Sequence, residues 1–135
     1  MTKKVICDLQ KEDGSFMGDK WGECDVRFSY CAIAALSLLN QLCRIDLELV
    51  GGYIQQCRNF DGGYGSVPGA ESHSGLVFCC IAGLEICGMI EKVDGKLVCG
   101  WLVERQLECG GFNGRPEKLE DVRIVIEFKD ELMND

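Results

Sequence analysis

The single histidine of the chain, His73, lies in "PGAESHSG", residues 68 to 75, among small and polar residues rather than on an apolar face. A lone imidazole is commonly structural or solvated, yet it also donates hydrogen bonds and exchanges protons near neutral pH. Gly69 and Gly75 bracket it and allow close backbone approach by a ligand. Arg115 and Lys118 stand three apart in "NGRPEKLED". Alone, that pair reads equally as a solvated charged turn with Pro116 as a helix-start residue. At one rim with His73, the three groups suit a polyanion such as a diphosphate, since a guanidinium forks onto phosphate oxygens and an ammonium adds a point charge. The first amides of a helix beginning at Ser74 would favour the same anion. The glycines form no Rossmann or P-loop fingerprint, because neither a preceding strand pattern nor a GK[ST] ending is present.

A repeat must position these residues. "DGSF" (13 to 16), "GGYG" (62 to 65) and "GGFN" (110 to 113) place Phe16, Tyr64 and Phe112 at equal intervals of 48 residues, each preceded by a glutamine, Gln10, Gln56 and Gln106. Between the loops, residues 26 to 42 carry the broad apolar face of an inner, buried helix, and residues 47 to 57 the narrower stripe of an outer one. The pairing recurs over 74 to 90 and 95 to 107. The fold class is therefore all-α, built from helical-hairpin repeats of about 48 residues that stack because one hairpin cannot cover its own apolar side. Gly51 and Gly52, each costing about 1 kcal/mol relative to Ala inside a helix, predict fraying or a kink in the first outer helix. The same register makes Asp25, His73 and Asp121 equivalent, each where a loop meets an inner helix. Asp25 is expected to cap its helix, whereas His73 and Asp121 would also point polar groups into the mouth of any barrel.

With 22 acidic against 14 basic residues, a net charge of −8, and no basic runs, the chain is not expected to bind nucleic acid. Its apolar runs are far short of a membrane span and its start lacks the apolar core of a signal peptide, so a cytoplasmic protein without a membrane span is expected. Ten cysteines without a CxxC spacing suggest small hydrophobes rather than disulfides, notably Cys31, Cys43, Cys57, Cys79, Cys80, Cys87 and Cys99.

"WGECDVRFSYCAIAAL" (21 to 36), "NFDGGYGSVPGAESHSG" (59 to 75) and "ERQLECGGFNGRPEKLEDV" (104 to 122) resemble the beta subunits of protein prenyltransferases, and among them most closely that of Rab geranylgeranyltransferase. The resemblance runs from about Leu9 to Val122 and matches the middle third or so of such a subunit. It implies a partial α/α toroid over residues 1 to 122, followed by a divergent tail, 123 to 135. It further implies transfer of geranylgeranyl from geranylgeranyl diphosphate to C-terminal cysteines of Rab proteins, in partnership with an alpha subunit and an escort protein. His73, Ser74 and Gly75 correspond to a segment contacting the isoprenoid diphosphate, Arg115 and Lys118 to the basic pair of its pocket, and Asp121 to the first ligand of a zinc ion that holds the acceptor thiolate. Arg27 matches a cavity-facing arginine, and no residue is assigned as catalytic in its own right.

The family pattern continues Asp-x-Cys-Tyr, whereas this chain has Asp121-Val122-Arg123-Ile124. Arg123 thus replaces the cysteine ligand, and one ligand of three makes no ordinary zinc site. The expectation is a beta-subunit segment inactive by itself. The competing reading is a non-catalytic truncated hairpin module that binds an alpha subunit or Rab proteins. Terpene cyclases share glycine-aromatic repeats, but the "GRPEKLED" loop fits prenyltransferases better.

Overall fold

The computed structural model describes residues 2 to 121, with side chains from residue 4 onward; the Arg123 substitution and the divergent tail lie outside the described residues. Five helices follow one another: α1 (Thr2–Cys7), α2 (Val26–Leu38), α3 (Leu47–Gln56), α4 (Ser74–Ile86) and α5 (Gly95–Val103). α2 with α3 and α4 with α5 form two hairpins, and the two inner helices, α2 and α4, pack on each other. Among the described residues extended pairing is confined to isolated bridges.

The inner helices stop four residues sooner than their apolar pattern predicts. The Gln41 amide donates to Leu36 O and that of Met89 to Leu84 O, closing both helices over a residue in the left-handed region, Asn40 (φ 53) and Gly88 (φ 71). These bonds satisfy carbonyls that the helix end leaves without partners. Leu42 and Ile90, which continue the helical period, instead begin short 3₁₀ turns, Leu42–Arg44 and Ile90–Lys92. The outer helices then start on Asp46 and Asp94, whose carboxylates accept from the amides of Leu49 at 3.0 Å and Leu97 at 3.1 Å. Neither cap is named by the repeat alone, although both are N-cap residues by type.

One core runs through both hairpins. Ile33 and Leu36 of α2, Val50 and Ile54 of α3, Val77, Cys80 and Leu84 of α4, and Val98 and Leu102 of α5 are all fully buried or nearly so. Each large side chain withdrawn from water in this way contributes about 1.5 to 3 kcal/mol.

The expected break at Gly51 and Gly52 does not occur, since α3 runs unbroken through both. Gly51 is buried, and a Cβ there would collide with the thioether of Met89 and approach Leu84 Cδ2 from the next hairpin. Close packing between repeats therefore offsets the poor helix propensity at this position. Gly52 faces open space.

The three glycine loops are copies of one structure. Asn59 donates its amide to Gly63 O and Gly65 to Cys57 O; the same two bonds join Lys11 to Ser15 and Met17 to Leu9, and Leu107 to Gly111 and Asn113 to Arg105. Gly14, Gly62 and Gly110 each hold a positive φ, 86°, 91° and 85°. At Gly14 and Gly62 a Cβ would also strike the first turn of the following outer helix, at the Leu49 and Leu97 carbonyls. The bridges pair Gln10 with Phe16, Arg58 with Tyr64 and Gln106 with Phe112. Arg58, not Gln56, is thus the structural partner of Gln10 and Gln106, because Gln56 is still the last residue of α3.

Candidate functional site

At the end of the molecule where loops enter the inner helices, an open concavity is lined by His73 from the second loop and by Gly114, Arg115, Lys118, Glu120 and Asp121 from the third. Residues more than 40 positions apart in sequence are brought to one surface by the stacking of consecutive loops.

The join between those loops is specific. The Ser74 amide donates to Gly114 O at 3.0 Å, and the Ser74 hydroxyl, fully buried, donates to Asn113 O at 2.9 Å. One repeat earlier the Val26 amide donates to Ser66 O at 2.9 Å, so the backbone bond belongs to the repeat and the serine hydroxyl adds a second tie at this junction. Asn113 is also buried, and its Nδ2 donates to Lys118 O at 3.1 Å, shaping the segment that carries Arg115 and Lys118. Gly114 is in contact with the His73 ring: a Cβ there would overlap Nε2. Asn113 and Gly114 escape notice in the sequence, although Gly114 falls on the same register position as Ser66.

His73 is the N-cap of α4. Its Nδ1 accepts the Gly75 amide at 3.0 Å, as Asp25 Oδ1 accepts the Arg27 amide at 2.8 Å at the head of α2. Since Nδ1 accepts, the neutral ring carries its proton on Nε2, the nitrogen next to Gly114. Burial, and then the positive charge of Arg115, hold the imidazole below its ordinary 6.5, opposed in part by Asp121 and Glu71. The ring is therefore a neutral Nε2–H donor near pH 7.

Of the residues singled out in the sequence, His73, Arg115, Lys118 and Asp121 meet at the concavity. Ser74 and Gly75 do not line it; their polar groups are engaged by the third loop and by His73. Arg115 and Lys118 are exposed, and Arg115 Nη1 lies 3.3 Å from Glu71 Oε2. Arg27 is mostly exposed and is clamped by Asp25 through Nε at 2.9 Å and Nη2 at 2.6 Å.

A network beneath the rim ties the second loop to α5. Asp61 Oδ1 accepts from the Gly63 amide at 2.8 Å and the Ser72 hydroxyl at 2.8 Å, while Oδ2 accepts from Trp101 Nε1 at 3.0 Å. Asn59 Nδ2 donates to Ala70 O and Ser72 Oγ. Ser72, immediately before His73, is thereby fixed from two sides.

Residues 1–122 match the prenyltransferase alpha-alpha toroid domain. The chain belongs to that family. It is 51% identical over 124 residues to the geranylgeranyl transferase type-2 subunit beta of Candida albicans, covering 88% of this chain and 36% of the relative. It is 47% identical over 116 residues to the protein of the same name from Saccharomyces cerevisiae, covering 84% and 36%. The chain thus spans about a third of the length of these relatives. Among solved structures, Candida albicans protein geranylgeranyltransferase-I complexed with GGPP superposes with a TM-score of 0.72 at 29% identity, over 90% of this chain and 42% of that one. The all-α hairpin architecture is that of the family, and the relatives make the chain a transferase beta-subunit homologue.

Zinc does not fit the described residues: no group of three or more His, Cys, Asp or Glu side chains is placed to hold a metal ion among them. Asp121 is the one expected ligand that falls among the described residues, and Arg123 lies outside them. All ten cysteines are free. Cys57 and Cys80 are buried as small hydrophobes, and Cys79, Cys87 and Cys99 partly so. Cys31 and Cys43 are exposed, against expectation, because Cys31 lies on the open side of α2 and Cys43 in the 3₁₀ turn beyond its end. Among the described residues no helix is long and apolar enough to cross a membrane.

Proposed function

We propose that the chain is a segment of a Rab-type protein geranylgeranyltransferase beta subunit, and that its concavity binds the diphosphate of geranylgeranyl diphosphate. The observation that carries this reading is the convergence of His73 with Arg115 and Lys118 on one open surface. A neutral Nε2–H donor, a forked guanidinium and an ammonium together meet the oxygens of a diphosphate, and the same groups stabilise charge that accumulates as diphosphate departs. Ser74 and Gly75 serve by holding His73 and the third loop in place. The geranylgeranyl group and the type-2 class are carried over from the Candida albicans and Saccharomyces cerevisiae relatives, and they belong to the proposal together with Rab cysteines as acceptors, an escort protein and an alpha subunit as partner.

Titration calorimetry of the full 135-residue chain with geranylgeranyl diphosphate tests it. Saturable binding that weakens about tenfold or more in Arg115→Ala or Lys118→Ala is expected, each variant removing one charge-assisted contact. Equal affinity of the wild type and both variants would overturn the assignment. The chain alone is not expected to prenylate a Rab protein or to retain zinc, and one tightly bound zinc per chain on metal analysis would overturn that expectation.

A further inference from the structure

The turn that carries Arg115 and Lys118 is a copy of one in the second loop: the Lys118 amide donates to Arg115 O at 3.4 Å as the Ala70 amide donates to Val67 O at 3.0 Å. The two copies are held differently. In the second loop Asn59 Nδ2 donates to Ala70 O at 2.8 Å, and Gly69 takes a left-handed φ of 82°. In the third, Leu107 stands at the position of Asn59 and has no side-chain donor, while Glu117 holds a φ of 60° where the second loop has glycine. A β-carbon is crowded in that conformation, so this turn needs support from outside itself. Asn113 supplies it, since its Nδ2 donates to the matching carbonyl, Lys118 O, at 3.1 Å. The counterpart of Asn113 is Gly65, where a Cβ would strike Ala70 O.

Asn113 also joins this turn to its surroundings. Its amide donates to Arg105 O just beyond α5, and its carbonyl accepts the Ser74 hydroxyl next to His73. Its Oδ1 is buried without a hydrogen-bond partner among the described residues. A buried carboxamide satisfied on one side only is a poor stabiliser. Folding alone would be served as well by glycine with a donor at position 107, the arrangement of the second loop.

We propose that Asn113 is a positioning residue of the rim: it sets the turn so that Arg115 and Lys118 stand beside the His73 Nε2–H before any ligand arrives. The proposal rests on the reading of the rim as a diphosphate site. Arg115 and Lys118 are exposed at the ends of long side chains, so what the protein fixes is the backbone from which they project. With Lys118 O held, a polyanion meets both cations without ordering the turn. With it released, that ordering opposes binding.

Calorimetry of the full chain with inorganic pyrophosphate tests this in wild type, Arg115→Ala, Asn113→Ala, Asn113→Gly and the double variant Asn113→Gly with Leu107→Asn, which reproduces the Asn59 and Gly65 pair of the second loop. Each is measured at a temperature where its thermal melt shows it folded. Expected is an affinity about two- to tenfold lower in Asn113→Ala and Asn113→Gly, the range given by loss of one neutral hydrogen bond, and recovery towards wild type in the double variant. A merely structural role would not give that recovery, because Leu107→Asn puts a polar group in place of a half-buried leucine and lowers stability further. Wild-type affinity in both Asn113 single variants, or a loss that Leu107→Asn leaves unrepaired, would overturn the role of Asn113; the diphosphate reading then stands as long as Arg115→Ala weakens binding. If pyrophosphate does not bind wild type, or binds Arg115→Ala equally well, the diphosphate reading and the inference fall together.

Discussion

His73 Nδ1 and the Gly75 amide are 3.0 Å apart, so the imidazole performs for α4 the capping that the Asp25 carboxylate performs for α2. An Asp cap stays an acceptor over the whole neutral range, whereas an imidazole accepts only while Nδ1 is unprotonated. Because burial and Arg115 depress the folded-state value below 6.5, the unfolded chain takes up this proton first on acidification. The contribution of His73 to stability is therefore complete above pH 6.5 and falls progressively as pH drops below it, until the folded-state value is reached. Chemical denaturation of wild type and His73→Asn at a series of pH values between 5 and 8 checks this. The wild type should lose stability relative to the variant on the acid side of that range, and a difference independent of pH would contradict it.

The same substitution separates capping from ligand binding. Asn is among the favoured N-caps, so His73→Asn should keep α4 stable to within about 0.5 kcal/mol at pH 7.5, whereas His73→Ala should cost about 0.5 to 2 kcal/mol. Asn lacks the Nε2–H donor in its ring position, so both variants should bind geranylgeranyl diphosphate more weakly than wild type. Thermal melts paired with calorimetry resolve the two effects. Loss of binding only in the destabilised Ala variant would mean that His73 acts through the helix and not on the ligand.

The hairpins and the loops are legible because a 48-residue period repeats each loop three times and each hairpin twice, and Phe16, Tyr64 and Phe112 do occupy one structural role. The cap at Asp25 and the meeting of His73 with Arg115 and Lys118 follow from that register. What escaped depends on contacts between repeats, which have no trace in local pattern. Gly114 is defined by the ring it touches, Glu71 by an arginine 44 positions away, and the shortened inner helices by a reversal at Asn40 and Gly88 that hydropathy continues straight through. Gln56 stands two positions before the true equivalent, because the second repeat carries Arg58 where the other two carry a glutamine, and residue type alone points to the wrong position.

Gly51 and Gly52 should respond oppositely to alanine. At Gly52 the added methyl meets nothing, and the substitution should stabilise the chain by about 0.5 to 1 kcal/mol through helix propensity. At Gly51 the methyl must displace the Met89 thioether, which lies between hairpins, and overpacking of about 1 to 3 kcal/mol should exceed the propensity gain. Denaturant midpoints of the two single variants give the comparison directly. Stabilisation by both would show that Met89 yields freely and that the repeats are not tightly packed there.

Cysteine reactivity should follow burial and ionisation. Cys57 is pushed up to about 12 and Cys79 to about 11, in each case chiefly by burial, while Cys31, Cys43 and Cys109 are exposed. The thiolate is the reactive form. Brief alkylation of the native chain at pH 8, read by peptide mass spectrometry, should mark Cys31, Cys43 and Cys109 well before Cys57 or Cys79. Equal labelling of all five would indicate that the core opens on the timescale of the reaction.

Trp101 ties α5 to the loop that ends at His73, and its indole N–H is donated to Asp61 Oδ2 at 3.0 Å. Trp101→Phe keeps an aromatic ring in the core and removes this donor, while Ser72 and Gly63 still hold the other carboxylate oxygen. The loss of the hydrogen bond should cost about 0.5 to 1.5 kcal/mol, with a further packing penalty from the smaller ring. If the network also positions the rim, Trp101→Phe should weaken pyrophosphate binding, whereas a variant of comparable stability loss remote from the loop, such as Ile33→Val, should not. Measuring both variants at a temperature where each is fully folded separates the two contributions. Equal affinity in Trp101→Phe and wild type would confine the network to stability and leave the placement of His73 to the cap at Gly75 and the Ser74 bonds to the third loop.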